Sequence, residues 1–286
     1  MKAISRRGFV KLGASSAAML AMTPLLSACG NGGSTGGAPL ASSGPVSASK
    51  AFAQKGVWFE CYDEEKGFPE VKKDSHVPAI LVFDGNGNVT RYKIWNSDDI
   101  DLTFGDLNGK STDEIVELAK QKAEETFEHH KQYGIDTASE LIEKVKDRLN
   151  KGLYTNDSQD DVAQADSWLQ TLKALEYQEP TPRPYALHIE TDDTGNNTAK
   201  ETLSFVCDAL ENDSLEENTA GNSFYRIEGD PGFADDDYEI ELNPCLDAVT
   251  VYDMRFYGYD RLVTIVDENS HGFMFDEPGA DGVDVD

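Results

Sequence analysis

The sequence predicts an α+β protein, in which a small antiparallel sheet with three amphipathic helices is followed by a mostly antiparallel β-sandwich. Three observations support this fold class. Residues 51–110 contain short stretches of strand-like alternation, residues 111–175 show helical periodicity, and residues 181–286 return to short alternating stretches separated by turn residues. We therefore expect two folded domains, at 51–180 and 181–286.

The first domain is expected to begin with three strands. Residues 56–62 alternate aromatic and β-branched side chains, and residues 77–83 and 89–95 are rich in apolar residues. The run Asp-Gly-Asn-Gly-Asn at 84–88 separates the last two stretches and is typical of a tight hairpin turn. The sequence therefore predicts an antiparallel sheet that contains this hairpin.

Three helices are expected after these strands. A capping box begins at Ser111, and apolar residues follow it at helical spacing until Gly134. A second box begins at Thr137, and its helix is expected to end at Gly152. Ser158 begins the third helix, whose apolar residues repeat at intervals of three and four. Because each helix has one apolar face, each must pack against another element, and the hairpin sheet is the obvious partner.

The proline-rich stretch Pro180–Pro184 marks the expected boundary between the domains, because it breaks any helix. Beyond it, clusters of Gly, Asn and Asp separate short strands at the spacing of a β-sandwich. An alternative stays open, in which both parts share one sheet and the boundary is only a long loop. The expected strands are 185–191, 200–206, 223–227, 238–242, 248–255, 262–266 and 272–275.

The N-terminal region has the character of an export signal. Residues 1–11 carry four basic residues and no acid, and an uncharged, largely apolar stretch follows as far as Ala28. The basic part contains the heptad Ser-Arg-Arg-Gly-Phe-Val-Lys, which resembles the twin-arginine export motif. The resemblance implies a signal peptide over residues 1–28. The residues that form the motif are Arg6, Arg7, Phe9 and Lys11.

The apolar stretch ends in Leu-Ser-Ala, followed by Cys29 and Gly30, which resembles the lipobox of bacterial lipoproteins. The resemblance implies that Cys29 becomes a diacylated N-terminus, which attaches the protein to the outer face of the cell membrane. Residues 29–50 are nearly all small or polar after the cysteine and are expected to form a flexible tether. The rest of the chain is similar to uncharacterised acidic surface lipoproteins of Gram-positive bacteria, from which no functional residue can be transferred.

The charge of the chain excludes one large class of partners. The sequence contains 53 acidic and 25 basic residues, and loss of the basic residues of the signal peptide would change the net charge from −28 to −32. Nucleic-acid binding requires clustered Lys and Arg, so we expect no nucleic-acid partner. Anionic lipid headgroups would also repel such a chain, so we expect it to contact the membrane only through the lipid on Cys29.

Three cysteines remain besides Cys29, and no two of them are close enough in sequence to form a Cys-x-x-Cys pair. Because disulfides are permitted outside the cell, we expect one bridge, between Cys207 and Cys245, which both lie in the strand-rich part. The alternative, in which Cys61 and the other two are all reduced and buried, stays open.

No motif identifies a catalytic or metal-binding residue, and no cofactor is expected. The run at 84–88 resembles the beginning of a calcium loop, but Val89 stands where an EF-hand needs glycine, so a β-turn is favoured. Asp235–Asp237 is a second acidic run, for which exposure to solvent is the commoner explanation. Glu125 and His129 are one helical turn apart and could share an ion, although a polar helix face is the commoner arrangement.

Tyr252, Met254 and Phe256 would share one face of a strand, which is more often part of a core than a sugar-binding surface. The leading hypothesis is therefore a non-enzymatic binding or structural surface protein with an unidentified surface or cell-wall partner. The runner-up is a secreted hydrolase or a calcium-dependent glycan-binding module, whose site assembles from residues that are distant in sequence.

Overall fold

The fold comes from a computed structural model of the chain. The predicted export motif, Cys29 and the predicted strand 223–227 lie outside the residues that the structure describes. No helix within the described part of the chain is both long and apolar enough to cross a membrane. The described residues are 44–97, 100–153, 158–211 and 231–285.

Helices and strands are both present, as the predicted fold class requires. Within the described ranges the chain forms three helices and fourteen strands. The helices are α1 (Ala48–Phe52), α2 (Thr112–Asn150) and α3 (Gln159–Ala174), and the strands are β1 (Val46–Ser47), β2 (Gly56–Glu60), β3 (Asp63–Glu65), β4 (Phe68–Pro69), β5 (Ala79–Phe83), β6 (Asn88–Lys93), β7 (Arg183–Thr191), β8 (Thr198–Glu211), β9 (Gly232–Glu241), β10 (Val249–Val251), β11 (Met254–Tyr259), β12 (Leu262–Val266), β13 (Phe273–Met274) and β14 (Val283–Val285).

One large, mainly antiparallel sheet contains ten of the described strands. Its order is β10-β11-β12-β2-β5-β6-β7-β8-β9, and β14 adds to β7 in parallel. The sheet crosses the expected domain boundary twice, because Val89 of β6 lies opposite Arg183 of β7, and Glu60 of β2 lies opposite Leu262 of β12. The expected division into a small sheet at 51–180 and a separate β-sandwich is therefore corrected: both parts share one sheet.

The sheet coils on itself, which brings the segment that follows β9 against β11. After β9 the chain returns to β11, where Pro244 forms an isolated antiparallel bridge with Tyr259. Inward-facing side chains from both halves of the sheet fill the interior of this coil and form its main apolar core. The largest members of that core are Phe52, Trp58, Phe83, Phe205, Tyr259 and Phe273.

Helix α2 covers the outer face of the sheet and, together with α3, extends beyond it. Ile115, Ala119 and Ala123 of α2 pack on Phe59 and Ile80 of the sheet, within a second core. The second half of α2 packs against α3 and forms a third core, which contains no strand residue. The members of this helical core are Ala138, Ile142, Val145, Val162, Ala165, Trp168, Leu169 and Leu172.

A single helix, α2, stands where two were predicted, and it is 39 residues long. The capping box at Ser111 is confirmed, and Ser158 begins the last helix as predicted. Both serine side chains accept from the backbone N–H three residues later. The stop at Gly134 and the start at Thr137 are wrong, because α2 continues through both. A glycine costs a helix only about 1 kcal/mol relative to alanine, which packing on either side of it can offset. The expectation of three amphipathic helices is therefore not confirmed in detail.

The expected tether, 29–50, does not extend as far as its last residues. Val46 pairs with Phe273 in the parallel β1–β13 ladder, and α1 begins at Ala48, which is fully buried. Phe52 at the end of α1 stacks on Phe83 in the interior of the coiled sheet, with 4.6 Å between ring centroids. The last residues of the expected tether therefore belong to the folded part of the chain.

Candidate functional site

A pocket of about 340 Å³ opens where the interior of the coiled sheet becomes polar. Its volume lies near the lower end of the roughly 300–1,000 Å³ typical of small-molecule sites. Strand alternation explains its position, because residues two places apart share a face and Trp58, Val89 and Ile240 belong to the apolar interior. The polar residues two places from these three are Glu60, Arg91 and Tyr238.

Glu60, Arg91 and Tyr238 form the floor of the pocket. Arg91 Nε donates to Glu60 Oε1 at 2.6 Å and Arg91 Nη2 to Glu60 Oε2 at 3.0 Å, which makes a bidentate ion pair. The two side chains are only 9% and 8% exposed. The Tyr238 hydroxyl donates to Glu60 Oε2 at 3.0 Å and accepts from Arg91 Nη2 at 3.2 Å. The guanidinium also lies 4.1 Å from the centre of the tyrosine ring, so the three groups fix one another.

The protonation states of the floor follow from burial and from this pairing. Burial opposes the charged form of Arg91, but the adjacent Glu60 carboxylate outweighs it and raises the pKa of the guanidinium above its usual value. Burial, and then the charge of Glu60, raise the pKa of Tyr238 to about 12. The hydroxyl therefore keeps its proton and remains a donor at neutral pH. The floor is a preorganised set of polar groups whose own charges cancel.

Two exposed aromatic side chains stand at the rim of the pocket. Tyr62 is 51% exposed and Trp95 is 42% exposed. Trp95 is fixed by α2, since its backbone N–H donates to Thr126 Oγ1 at 3.0 Å and its ring packs edge-on against His130 with 4.2 Å between centroids. Rings held in this way present flat apolar faces on which the ring of a ligand can stack.

The wall of the pocket carries His76 and Cys61. His76 Nδ1 lies 2.6 Å from Asp101 Oδ1, and the imidazole is buried. Cys61 Sγ donates to the backbone oxygen of Asp260 at 3.4 Å, and burial raises the pKa of the thiol well above its usual value. A neutral, hydrogen-bonded thiol is a poor nucleophile, so Cys61 contributes polarity and shape to this wall.

No family model, curated protein or solved structure matches this chain. Among the described residues, no cluster of three or more His, Cys, Asp or Glu side chains is placed to hold a metal ion. Function therefore has to be inferred from the pocket itself, from its floor, its rim and its charges.

The run considered as a calcium loop forms the predicted hairpin turn between β5 and β6. The Asp84 carboxylate accepts from Asn86 N at 2.7 Å, Asn88 N at 3.1 Å and Asn88 Nδ2 at 2.8 Å. Gly85 and Gly87 adopt φ angles of 76° and 86°, which favour glycine. Hydrogen bonds, first from Asn88, also lower the pKa of Asp84. Its oxygens are thus already engaged by the turn.

The second acidic run, Asp235–Asp237, lies within β9 and not in a loop. Arg183 Nη2 donates both to Asp235 Oδ1 at 3.0 Å and to Asp208 Oδ1 at 2.7 Å. The run therefore belongs to the sheet, and one of its carboxylates takes part in an ion-pair cluster across β7, β8 and β9.

Other predicted groupings are also separated in the structure. The Glu125 carboxylate accepts from Lys122 Nζ and from Gln121 Nε2, both at 2.8 Å, and it makes no hydrogen bond to the imidazole of His129. Phe256 is buried, as expected of a core residue, but Tyr252 is 59% exposed and has a φ of 50°. Tyr252 lies in the turn before β11, where the alternation of a strand no longer applies.

The expected bridge between Cys207 and Cys245 is not formed. The three described cysteines are free and buried, which is the arrangement left open above. Cys207 lies on β8 near the guanidinium of Arg91, whereas the Cys245 N–H donates to the backbone oxygen of Gly258 at 3.0 Å. Burial raises the pKa of both thiols, that of Cys245 to about 12. The predicted disulfide rested only on both cysteines lying in one strand-rich region. A disulfide also requires that the two Cβ atoms approach each other closely.

A second cavity, of about 590 Å³, lies beside α1 where the chain enters the fold. Asp276 Oδ2 accepts from Ser49 N at 2.7 Å and so caps α1, and Asp276 N donates to Glu201 Oε2 at 3.0 Å. Glu201 is fully buried, and its Oε1 has no partner within the described residues. Burial, together with the nearby Asp276, raises the pKa of Glu201 to about 8. This acidic corner joins α1, β8 and the segment after β13.

Sequence reasoning missed the floor of the pocket, although a signal was present. In β6 the alternation puts Arg91 on the same face as Val89, and in β2 it puts Glu60 on the same face as Trp58. A charge on the apolar face of a strand needs a buried partner. The identity of that partner, and the contribution of Tyr238 from β9, depend on the coiling of the sheet.

Proposed function

We propose that the chain is a lipoprotein of the outer face of the cell membrane, held there by a lipid on Cys29. We further propose that it binds a small ligand with a sugar-like ring in the pocket above Glu60, Arg91 and Tyr238. The twin-arginine heptad and the lipobox support the location. The polar floor, the size of the pocket and its aromatic rim support the binding role.

One observation carries the binding role: a bidentate ion pair is buried at the floor of a pocket that is open to solvent. Apolar residues of similar volume often stabilise a fold as well as a buried ion pair does, or better. Stability alone therefore does not explain the buried pair. An ion pair does, however, hold polar groups in fixed positions beneath a ligand. Trp95 and Tyr62 supply the apolar surface that ring stacking needs.

A binding role is favoured over hydrolysis by the state of the polar groups. The Glu60 carboxylate is engaged by both Arg91 and Tyr238, so it is poorly placed to accept a proton from water. The Cys61 thiol is neutral and donates to a backbone oxygen. Each group is held in a fixed hydrogen bond, which suits recognition better than proton transfer.

Fluorescence offers a direct test of the binding role, because Trp58 and Trp168 are buried and Trp95 is exposed at the rim. The full-length protein in detergent micelles is titrated with D-glucose, N-acetylglucosamine and D-glucuronate, by tryptophan emission and by calorimetry. At least one sugar is expected to give a saturable response with a dissociation constant below about 10 mM. Trp95→Ala should abolish this response, and Tyr252→Ala, an exposed aromatic outside the pocket, should leave it unchanged.

The absence of saturable heat and emission changes with all three sugars would overturn the binding role.

The location at the membrane is tested by a separate experiment. Cys29→Ala protein is expected to move from the membrane fraction to the soluble fraction of an export-competent bacterial host, whereas Ser34→Ala, in the same segment, should stay with the membrane. Membrane association of the cysteine variant would contradict the lipid anchor.

A further inference from the structure

The charges that line the pocket have the opposite sign to the charge of the chain. Among the described residues of the lining, Arg91, Lys93 and Arg261 are cationic and Glu60 is the one carboxylate. With His76 counted as neutral, these described residues have a surplus of two positive charges, whereas the whole chain has a net charge of −28. Such a local reversal of sign attracts anions to one place on a surface that otherwise repels them.

Two of these cations are available to a ligand. Glu60 neutralises Arg91, but Lys93 and Arg261 are both exposed, and neither forms an ion pair with a described residue. The cation surplus of the pocket therefore lies near its opening, above a floor that is already neutral.

The sheet fixes the backbone of both basic residues, Lys93 and Arg261. Lys93 ends β6 and lies opposite Ala79, two places after Arg91 and therefore on the same inward face. Arg261 occupies the tight turn between β11 and β12, where its backbone oxygen accepts from the Cys61 N–H at 3.1 Å. The two side chains thus reach one pocket from two different walls, with the exposed ring of Trp95 at the same rim.

We infer that the ligand is a sugar that carries an acidic group, a carboxylate or a phosphate, bound between Lys93 and Arg261. This inference rests on the binding role proposed above and specifies its chemistry. The planar guanidinium of Arg261 matches the paired oxygens of either group, and the Lys93 ammonium adds a second charged donor. The sugar ring stacks on Trp95, and its hydroxyl groups face the polar floor. A cationic ligand is less well matched, because Glu60, the one carboxylate among the described lining residues, is already paired with Arg91.

Matched sugars test the inference. D-Glucuronate differs from D-glucose by a carboxylate in place of a hydroxymethyl group, D-glucose 6-phosphate supplies a phosphate, and inorganic phosphate supplies the anion without a ring. Calorimetry on the full-length protein in micelles is expected to show at least one acidic sugar binding about tenfold more tightly than glucose. That preference should shrink as salt is raised, because salt screens exposed charges. The tighter of the two acidic sugars identifies the acidic group.

Single substitutions test which residues cause the preference for the acidic sugar. Lys93→Ala and Arg261→Ala are each expected to weaken binding of the acidic sugar by about tenfold, and to weaken binding of glucose much less. Lys173→Ala removes an exposed lysine of α3 that does not line the pocket, and it should change neither affinity. Unchanged melting temperatures show that the variants are folded, so a loss of affinity reports on the charge alone.

Three results would overturn the inference, and they can be told apart from failure of the binding role. The first is glucose binding as tightly as both acidic sugars. The second is unchanged affinity for the acidic sugar in both variants. The third is inorganic phosphate binding as tightly as glucose 6-phosphate, which would remove the need for a sugar. In each case a ligand still binds, whereas the binding role itself fails only when no sugar gives heat or a Trp95 response.

Discussion

The floor of the pocket and the acidic corner beside α1 both bury a carboxylate, but their surroundings differ. Glu60 has the guanidinium of Arg91 as a bidentate partner, and Arg91 is held firmly in its charged form. Glu201 has another acid, Asp276, as its neighbour, and burial raises its pKa to about 8. A buried carboxylate beside a cation can keep its charge, whereas one without a cation keeps its proton. The first arrangement suits a permanent polar site, and the second gives a contact that depends on pH.

Breaking the pair at the floor is expected to have the largest effect. Arg91→Met leaves Glu60 buried without its cation, which should lower the free energy of unfolding by about 3–5 kcal/mol. Urea denaturation followed by circular dichroism measures this loss. The double variant Glu60→Leu with Arg91→Met removes both charges and should recover much of the stability. A loss below about 1 kcal/mol in the single variant would show that the pair is not desolvated as described.

The acidic corner should give a pH-dependent effect with a defined sign. The pKa of Glu201 is raised from an ordinary value of 4.5 to about 8 in the folded chain, so the folded state binds this proton more tightly than the unfolded state. Its contribution to stability is therefore complete below pH 4.5 and is lost as the pH rises through about 8, by at most about 1.4 kcal/mol per pH unit. Urea denaturation between about pH 5 and 8 should show this fall, and Glu201→Gln should flatten it. Parallel profiles for the two proteins would contradict the assignment.

Removal of the Asp276 carboxylate is expected to have the smallest effect on stability. It distinguishes the helix-capping role of Asp276 from the pH dependence that Glu201 causes. Asp276→Ala removes the acceptor for Ser49 N and should destabilise the fold by about 0.5–2 kcal/mol, the usual range for loss of a helix cap. The fall in stability with pH should persist in this variant, because burial is the first cause of the raised pKa of Glu201. Asp281→Ala, an exposed acid of the same segment, serves as the control in thermal melts. Loss of the pH dependence in Asp276→Ala would assign it to the carboxylate neighbour.

Features that depend on a few neighbouring residues were predictable from the sequence. The capping box at Ser111, the helix start at Ser158 and the glycine-rich turn at 84–88 are formed as expected. Each is determined by hydrogen bonds or φ angles within about five residues, so the local pattern contains most of the information. The stop at Gly134 failed for the opposite reason, because packing of α2 against α3 outweighs the local cost of a glycine.

Features that join distant parts of the chain could not be predicted in this way. The pairings of Glu60 with Leu262 and of Val89 with Arg183 join the two expected domains into one sheet, and the bridge between Pro244 and Tyr259 holds its coil. Nothing in the pattern of either strand specifies its partner, since alternation fixes only which face is buried. The candidate site has the same limit: alternation places Arg91 on an inward face, but Glu60 and Tyr238 reach it only through the coiled sheet.

The acidic character of β9 has a consequence for how copies of this protein behave towards one another. Among the described strands, β9 pairs only with β8, which leaves its other edge without a strand neighbour. An unpaired edge of this kind can recruit the backbone of a second molecule and begin aggregation. Five of the ten residues of β9 are Asp or Glu, so two such edges approaching each other would bring like charges together. The same acidic run, in which Asp235 pairs with Arg183 within one molecule, thereby discourages edge-to-edge association between molecules.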